Sequence, residues 1–363
     1  NHTNKNLCCL FILCKYENNK LKKRNKMANL KTNYMGIELK NPLIIGANNM
    51  VENLNTVKKW EIEGAGAIVY KSLFEEQIQL ESLEMQEDIA EYEERHAEMI
   101  SIFPNIEHAG PKEHLLKLKK MKETVNIPVI ASLNAIYKET WVDYAKQIEE
   151  TGVDGLELNF YAVPVDFNKT PEDIENQQVD VLKSVKATVN IPVSVKLSSS
   201  YTNPLNFIQK LDEAGADAVI LFNRFFQPEI DISNENHFFP YDLSSASDNK
   251  KALRFAGLLY DQVGASVCAS GGIYTGPDVI KMLLAGADAV QVVSTLYKNK
   301  SGIISKILED LESWMDNKDY GSIDDFRGKL SKKRIADPFV YKRAQYIDIF
   351  NNSENIFKKY PMV

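Results

Sequence analysis

Four copies of one phrase limit what this chain can become. Each is a small-residue turn that runs into an apolar strand and ends on a polar side chain. They read Glu63-Gly-Ala-Gly-Ala-Ile-Val-Tyr-Lys71, Thr151-Gly-Val-Asp-Gly-Leu-Glu-Leu-Asn159, Ala214-Gly-Ala-Asp-Ala-Val-Ile-Leu-Phe-Asn223 and Ala285-Gly-Ala-Asp-Ala-Val-Gln-Val-Val-Ser294. A glycine just past a helix takes the left-handed conformation that ends it, and a short apolar run suits a strand buried on both faces. The phrase is a helix-to-strand junction, and its recurrence implies a repeated βα unit. Lys71, Asn159, Asn223 and Ser294 then fall at strand C-terminal ends, which in a closed parallel barrel share the face that carries the chemistry.

Reading outward from these junctions gives one alternation. Thr32–Lys40, with Gly36 at its middle, predicts a hairpin closing the bottom of the barrel. Strands are expected at Leu43–Gly46, Ala67–Lys71, Pro128–Asn134, Gly155–Asn159, Pro192–Leu197, Ala218–Asn223, Ser266–Ser270 and Ala289–Val293, with a helical pattern after each. Thr170-Pro171-Glu-Asp has the N-cap and first-turn chemistry of a helix start. Eight alternations in about 270 residues predict an α/β fold with a single (β/α)8 TIM barrel rather than an open doubly wound sheet. Insertions are expected at its C-terminal face: the acidic stretch Glu75–Met99 and the long loop from Asn223 to about Asp248.

Of the 363 residues, 44% are hydrophobic, enough for a large core. The net charge of −7 argues against a nucleic-acid partner. Residues 1–26 carry an apolar run, Leu7–Cys14, too short to span a bilayer and followed rather than preceded by basic residues. We read them as a disordered leader or non-native extension, and 27–363 as the barrel. Three of the four cysteines, Cys8, Cys9 and Cys14, crowd into that segment, and Cys268 reads as a small buried hydrophobe, so no disulfide framework is expected. A reducing, cytoplasmic setting with no membrane attachment is the simplest expectation. No Cys or His cluster has metal-ligand spacing. His237 reads as a surface histidine.

Ser270-Gly271-Gly272-Ile-Tyr-Thr-Gly276 and Ser294-Thr295, after the seventh and eighth strands, are the strongest local signals. Paired glycines let backbone N–H groups approach a phosphate, a helix N-terminus adds its positive end, and the hydroxyls donate further bonds. Barrel phosphate sites sit at these two loops. Lys71 and Lys196 end strands, where a cation is costly unless it meets an anion or an electron-rich ligand. An internal salt bridge, for instance to Glu157, is the alternative. A phosphate beside ammonium and amide groups suits flavin mononucleotide.

Asn41-Pro42-Leu-Ile-Ile-Gly-Ala47-Asn48, Tyr70-Lys71-Ser72, Glu157-Leu-Asn159, Pro192-Val-Ser-Val-Lys196-Leu, Asn223, Gly271-Gly272 and Asp325-Phe326-Arg327-Gly328 together resemble the dihydroorotate dehydrogenase family, in their order and spacing. The likeness covers nearly the whole chain from Met27 and is nearest to the soluble class. It implies an FMN flavoprotein, most simply a homodimer or other homo-oligomer, that oxidises a small-molecule dihydropyrimidine in pyrimidine biosynthesis. Carried over, the cofactor contacts are Ala47, Asn48, Lys71, Asn134, Asn159, Lys196, Gly271, Gly272, Ser294 and Thr295. Asn105, Asn159, Asn223 and Arg224 fall on the substrate side.

The chain also departs from the family. Where the soluble class reads Asn-Leu-Ser-Cys-Pro-Asn, with Cys as base, this chain reads Asn159-Phe-Tyr-Ala-Val-Pro164, so Ala162 stands at the base position. Lys71 and Tyr161 are the catalytic candidates left, although an unperturbed tyrosine is a poor base at neutral pH and Tyr161 reads equally as a packing aromatic. Met99-Ile-Ser-Ile-Phe-Pro-Asn105 replaces the family's Asn-Ser-Met-Gly-Leu-Pro-Asn, and Arg224 replaces a small hydroxyl residue. The cofactor half is expected to be intact and the substrate half altered. A flavin-free lyase or isomerase acting on a phosphorylated substrate, and a non-catalytic flavin-binding protein, are the alternatives.

Overall fold

The computed structural model describes residues 28–79, 111–160, 162, 165–224, 227–299, 302–343 and 345–351, with Glu354 and Lys358 beyond them. The leader at 1–26, most of the acidic stretch, Asn105 and Tyr161 lie outside the described residues.

The chain starts as an antiparallel hairpin, β1 (Thr32–Tyr34) and β2 (Ile37–Leu39), turning at Met35-Gly36. Then come β3 (Leu43–Ile45), a 3-10 turn (Asn49–Glu52), α1 (Leu54–Glu63), β4 (Ala67–Phe74), α2 (Pro111–Thr124), β5 (Val129–Asn134), α3 (Lys138–Glu149), β6 (Gly155–Phe160), α4 (Pro171–Thr188), β7 (Val193–Leu197), α5 (Pro204–Glu213) and β8 (Ala218–Leu221). A second hairpin, β9 (Glu229–Asp231) and β10 (Asn236–Phe238), rises from the long loop before α6 (Asn249–Leu259). β11 (Ser266–Ser270), α7 (Gly276–Ala285), β12 (Ala289–Val292), α8 (Ser294–Lys298), α9 (Ile303–Asn317) and α10 (Gln345–Asn351) follow. The eight strands β11-β12-β3-β4-β5-β6-β7-β8 close into one parallel barrel, the expected (β/α)8 architecture.

The repeated phrase works as its residues suggest. Gly64, Gly152, Gly215 and Gly286 all have positive φ, ending the helix before each strand. The aspartates two residues later have a role that the sequence did not disclose. Asp154 accepts the Val129 N–H, Asp217 the Val193 N–H and Asp288 the Val267 N–H, each at 2.7 Å. Each carboxylate therefore satisfies a backbone donor near the start of the neighbouring strand. Lys122 and Lys186 pair with the first two at 2.6 Å, and Arg327 pairs with Asp288. The first copy has Gly66 in that place, and a Cβ there would stand 2.4 Å from the Asn41 carbonyl oxygen, so no side chain fits.

Two apolar layers result. One lies between strands and helices; the other fills the barrel, where Ile44, Ala67, Val69, Ile130, Ile220, Cys268 and Ala289 pack on Tyr34, Met35 and Leu39 of the first hairpin. That hairpin plugs the bottom. Cys268 is fully buried, as expected of a small core residue. Above this layer the interior turns polar, with Ser132, Glu157, Ser194, Lys196 and Gln291 all buried. Among the described residues no helix is long and apolar enough to cross a membrane, and no group of three His, Cys, Asp or Glu side chains is placed to hold a metal.

Candidate functional site

The C-terminal mouth of the barrel carries the site. Lys196, near the end of β7, stands 3.4 Å from Glu157 Oε1 on β6 and donates to Gln291 Oε1 on β12 at 3.1 Å. Gln291 in turn donates to Glu157 Oε2 at 2.5 Å. The internal salt bridge raised as an alternative for Lys196 is therefore present, and Gln291 holds both ends of it. Gln291 had a legible signal, a lone polar residue in the apolar run Ala289-Val-Gln-Val-Val293, to which no role was given.

A cavity of about 170 Å³ runs from Lys196 and Gln291 past Ala47, Asn223 and Arg224 to Gly271, Gly272 and Ser294. Its far end is a donor-rich cradle. Gly271 and Gly272 both have positive φ, at 88° and 68°, which turns the backbone back under the cavity. A Cβ on Gly272 would lie 2.6 Å from Asn249 N and Ser245 O, so only glycine lets this loop approach the neighbouring one.

Ser244, which sequence reasoning passed over, ties the strand-β8 loop to this cradle. Its N–H and its hydroxyl both donate to Ser294 Oγ, at 3.0 and 2.8 Å, and its Oγ accepts the Gly272 N–H at 3.3 Å. Its carbonyl accepts from Lys298 Nζ at 2.9 Å and from the Tyr274 hydroxyl. Burial works to raise the Tyr274 hydroxyl, but bonds from Lys298, Ser244 and Ser294 prevail and bring it below the usual tyrosine range. The hydroxyl run Ser244-Ser245-Ala-Ser247 ahead of α6 was the signal available.

Not every expected cofactor contact points into the cavity. Thr295 is fully buried, with its hydroxyl donating to the Tyr274 carbonyl at 3.3 Å and accepting from Asn299 at 2.9 Å, so its backbone N–H rather than its hydroxyl is what it can offer an anion. Asn48 spends its side chain on its own turn, donating to Gly46 O at 2.7 Å and accepting the Met50 N–H at 2.9 Å.

Lys71 is not at a strand end, because β4 continues to Phe74, and the pairing with β5 slips between Val69 and Ser72. Its ammonium donates to Glu52 at 2.8 Å, with Lys117 3.5 Å from the same carboxylate. Partial burial works to raise the Glu52 carboxyl, and these two cations outweigh it and hold it below its ordinary range. Lys71 thus has a carboxylate of the chain as its partner, and it is not among the residues that line the cavity beside Lys196.

Among the residues expected to face a substrate, Asn223 Nδ2 donates to Asn159 Oδ1 at 3.0 Å. Asn223 lines the first cavity, and Asn159 lines a second of about 420 Å³ together with Phe74, Asn134, Phe160 and Ala162. The bonded pair is the partition between them. Asn134 Nδ2 is buried with no hydrogen-bond partner among the described residues. Arg224 donates to Asp248 at 2.6 Å and is exposed at the rim. Ala162, at the expected base position, is exposed in the same mouth. His237 is exposed on β10, as expected.

Comparison with known proteins gives the family. The family model described as Dihydroorotate dehydrogenase matches residues 29–315. The catalytic subunit of dihydroorotate dehydrogenase B (NAD(+)) from Thermoplasma volcanium is 27% identical over 316 residues, covering 85% of this chain and 100% of the relative. The subunit of the same name from Methanocaldococcus jannaschii is 28% identical over 298 residues, covering 79% and 93%. Dihydroorotate dehydrogenase A (fumarate) from Lactobacillus helveticus is 24% identical over 311 residues, covering 84% and 99%. With a family model matching most of its length and a closed eight-stranded barrel, the chain belongs to the dihydroorotate dehydrogenase family of oxidoreductases.

Proposed function

We propose that this protein is an FMN-dependent oxidoreductase whose substrate site departs from that of its relatives. The observation that carries the reading is one cavity joining the buried cation Lys196 to the glycine cradle and Ser294. The donor set fits the cofactor. Gly271 and Ser294, braced by Ser244, would hold the phosphate, and Lys196, Gln291 and Asn223 offer ammonium and amide groups to a ring with carbonyl and imide edges. When bound, FMN supplies hydride acceptance from a substrate carbon.

The chain's own residues do the rest. Glu157 and Gln291 fix Lys196 in place, so it would offer a preorganised cation to an electron-rich group held in this cavity. Asn159 and Asn223, already bonded to each other, orient a polar substrate between the cavities. Ala162 has no proton to give or take, and Arg224 adds a cation at the rim. A site built on hydrogen bonds rejects ligands that leave its groups unpaired. These changes therefore favour a substrate other than dihydroorotate, one that is more anionic or needs no base on the β6 loop. A flavin-binding protein without turnover is the second reading, favoured by Ala162.

The test is anaerobic mixing of the purified yellow protein with dihydroorotate, other dihydropyrimidines and related acids, followed by flavin bleaching. Bleaching by one of these but weakly by dihydroorotate is expected. Rapid bleaching by dihydroorotate would remove the claim of a changed substrate, no bleaching by any would favour the second reading, and protein that neither carries nor takes up FMN would remove both.

A further inference from the structure

Beside the flavin pocket lies a larger cleft of about 1020 Å³ that the reaction described above does not use. It shares Asn223, Arg224, Ser270 and Gly271 with that pocket and extends outward between the loop after β7 and the start of α6. Four cations converge on it: Arg224, Lys250, Lys251 and Arg254. Asp248 is the carboxylate among the lining residues, and it is taken up by Arg224 at 2.6 Å and by the Ser245 N–H at 2.8 Å. Burial works to raise the Asp248 carboxyl, but these bonds hold it below its ordinary range, so it stays charged and engaged with Arg224.

Lys250, Lys251 and Arg254 make no ion pair among the described residues, and Lys251 donates to Ser199 Oγ at 3.1 Å. Three cations without a carboxylate in one concave site stand out on a chain of net charge −7. All three are exposed, so an anion that enters the cleft can gain from each of them. Lys250 and Arg254 are four residues apart on α6 and so share a face, and Ser199, Thr202 and Ser247 add hydroxyls around the rim. Phe222 and Phe255, edge to face with centroids 5.4 Å apart, give the cleft an apolar floor.

We propose that this cleft binds a small polyanion, a molecule with two or more carboxylate or phosphate groups, next to but separate from the flavin. Spaced cations recognise spaced anionic groups, the hydroxyls take the remaining oxygens, and the phenylalanine floor accepts the carbon skeleton. The inference stands on the cleft's own charge and shape and does not need the flavin reading to hold.

The test uses the full protein saturated with FMN, titrated by calorimetry with citrate and, separately, with pyrophosphate. At least one should bind with a dissociation constant below about 1 mM at low salt. The double variant Lys250→Gln/Arg254→Gln should weaken it by at least about tenfold, and Lys306→Gln, a distant exposed cation on α9, should leave it unchanged. Preference for citrate or for pyrophosphate identifies the source as carboxylate or phosphate. Flavin content and visible spectrum, read on the same samples, report separately on the flavin site, and each single variant repeats the test should the double variant not fold. Binding of neither probe, or equal binding by the double variant and by wild type, overturns the proposal.

Discussion

Lys196 and Glu157 face each other from neighbouring strands inside the barrel, Nζ 3.4 Å from Oε1, and both are almost wholly buried. Neither charge would be stable there alone, and Gln291 links them by bonding to both.

Replacing Lys196 by Met should therefore destabilise the fold by about 3 to 5 kcal/mol, because Glu157 is left as a buried charge without its cation. The pair Lys196→Met/Glu157→Leu should recover most of that loss. Urea unfolding measures both, and a single-variant loss under about 1 kcal/mol would show that the pair is not coupled.

Gly272→Ala should lower FMN affinity by at least about tenfold, since the new methyl meets backbone atoms at 2.6 Å and the left-handed conformation adds about 1 to 2 kcal/mol of strain. Gly271→Ala should be milder, because a Cβ there meets nothing within 4 Å and only the strain remains. Fluorescence titration of apoprotein with FMN ranks the two, and equal effects would mean that the close approach at Gly272 does not matter.

Ala162→Cys places a thiol at the exposed position where the family resemblance puts the base. A positioned base contributes about 10² to 10⁴ in rate, so flavin bleaching by dihydroorotate should accelerate by a factor in that range. Anaerobic stopped-flow mixing reads the rate. An unchanged rate would show that the rest of the substrate site has also moved away from dihydroorotate.

His114 on α2 is buried edge-on to Tyr70, with ring centroids 5.1 Å apart, and burial lowers its pKa to about 4, helped by Lys71 and Lys117 and opposed by Glu52. The folded imidazole resists protonation, whereas the unfolded one takes its proton near pH 6.5, so the unfolded state binds more protons between these values. Stability should be fully present above pH 6.5 and fall by up to about 3 kcal/mol on acidification toward pH 4. His114→Phe should flatten that part of the profile in urea titrations, and an unchanged slope would assign the acid sensitivity to other groups.

Much of this protein is legible in one dimension. The spacing of glycines and apolar runs gives the eight βα units, because helix ends and strand lengths depend on residues within a few positions of one another. Gly271-Gly272 and Ser294 are legible for the same reason, since the positive-φ turn at the two glycines is local. The capping box at Thr170 and Asp173 likewise forms as the residues suggest.

The partners of the polar side chains were not legible, because they come from distant parts of the chain. Lys196 meets Gln291 from 95 residues away, and Asp154 meets the Val129 amide from 25. The repeated aspartates, seen only as part of a phrase, satisfy backbone donors at the barrel's lower rim, and Ser244 is drawn onto the cradle by a loop whose path no local pattern encodes. By itself the sequence determined the alternation of helices and strands and the positions of the glycine turns. Only barrel closure decided that Lys196 is held by Glu157 and Gln291, that Lys71 turns to Glu52, and that Asn159 and Asn223 form one partition. The physical reason is that burying a charge or an amide requires a partner, and only the assembled structure supplies one.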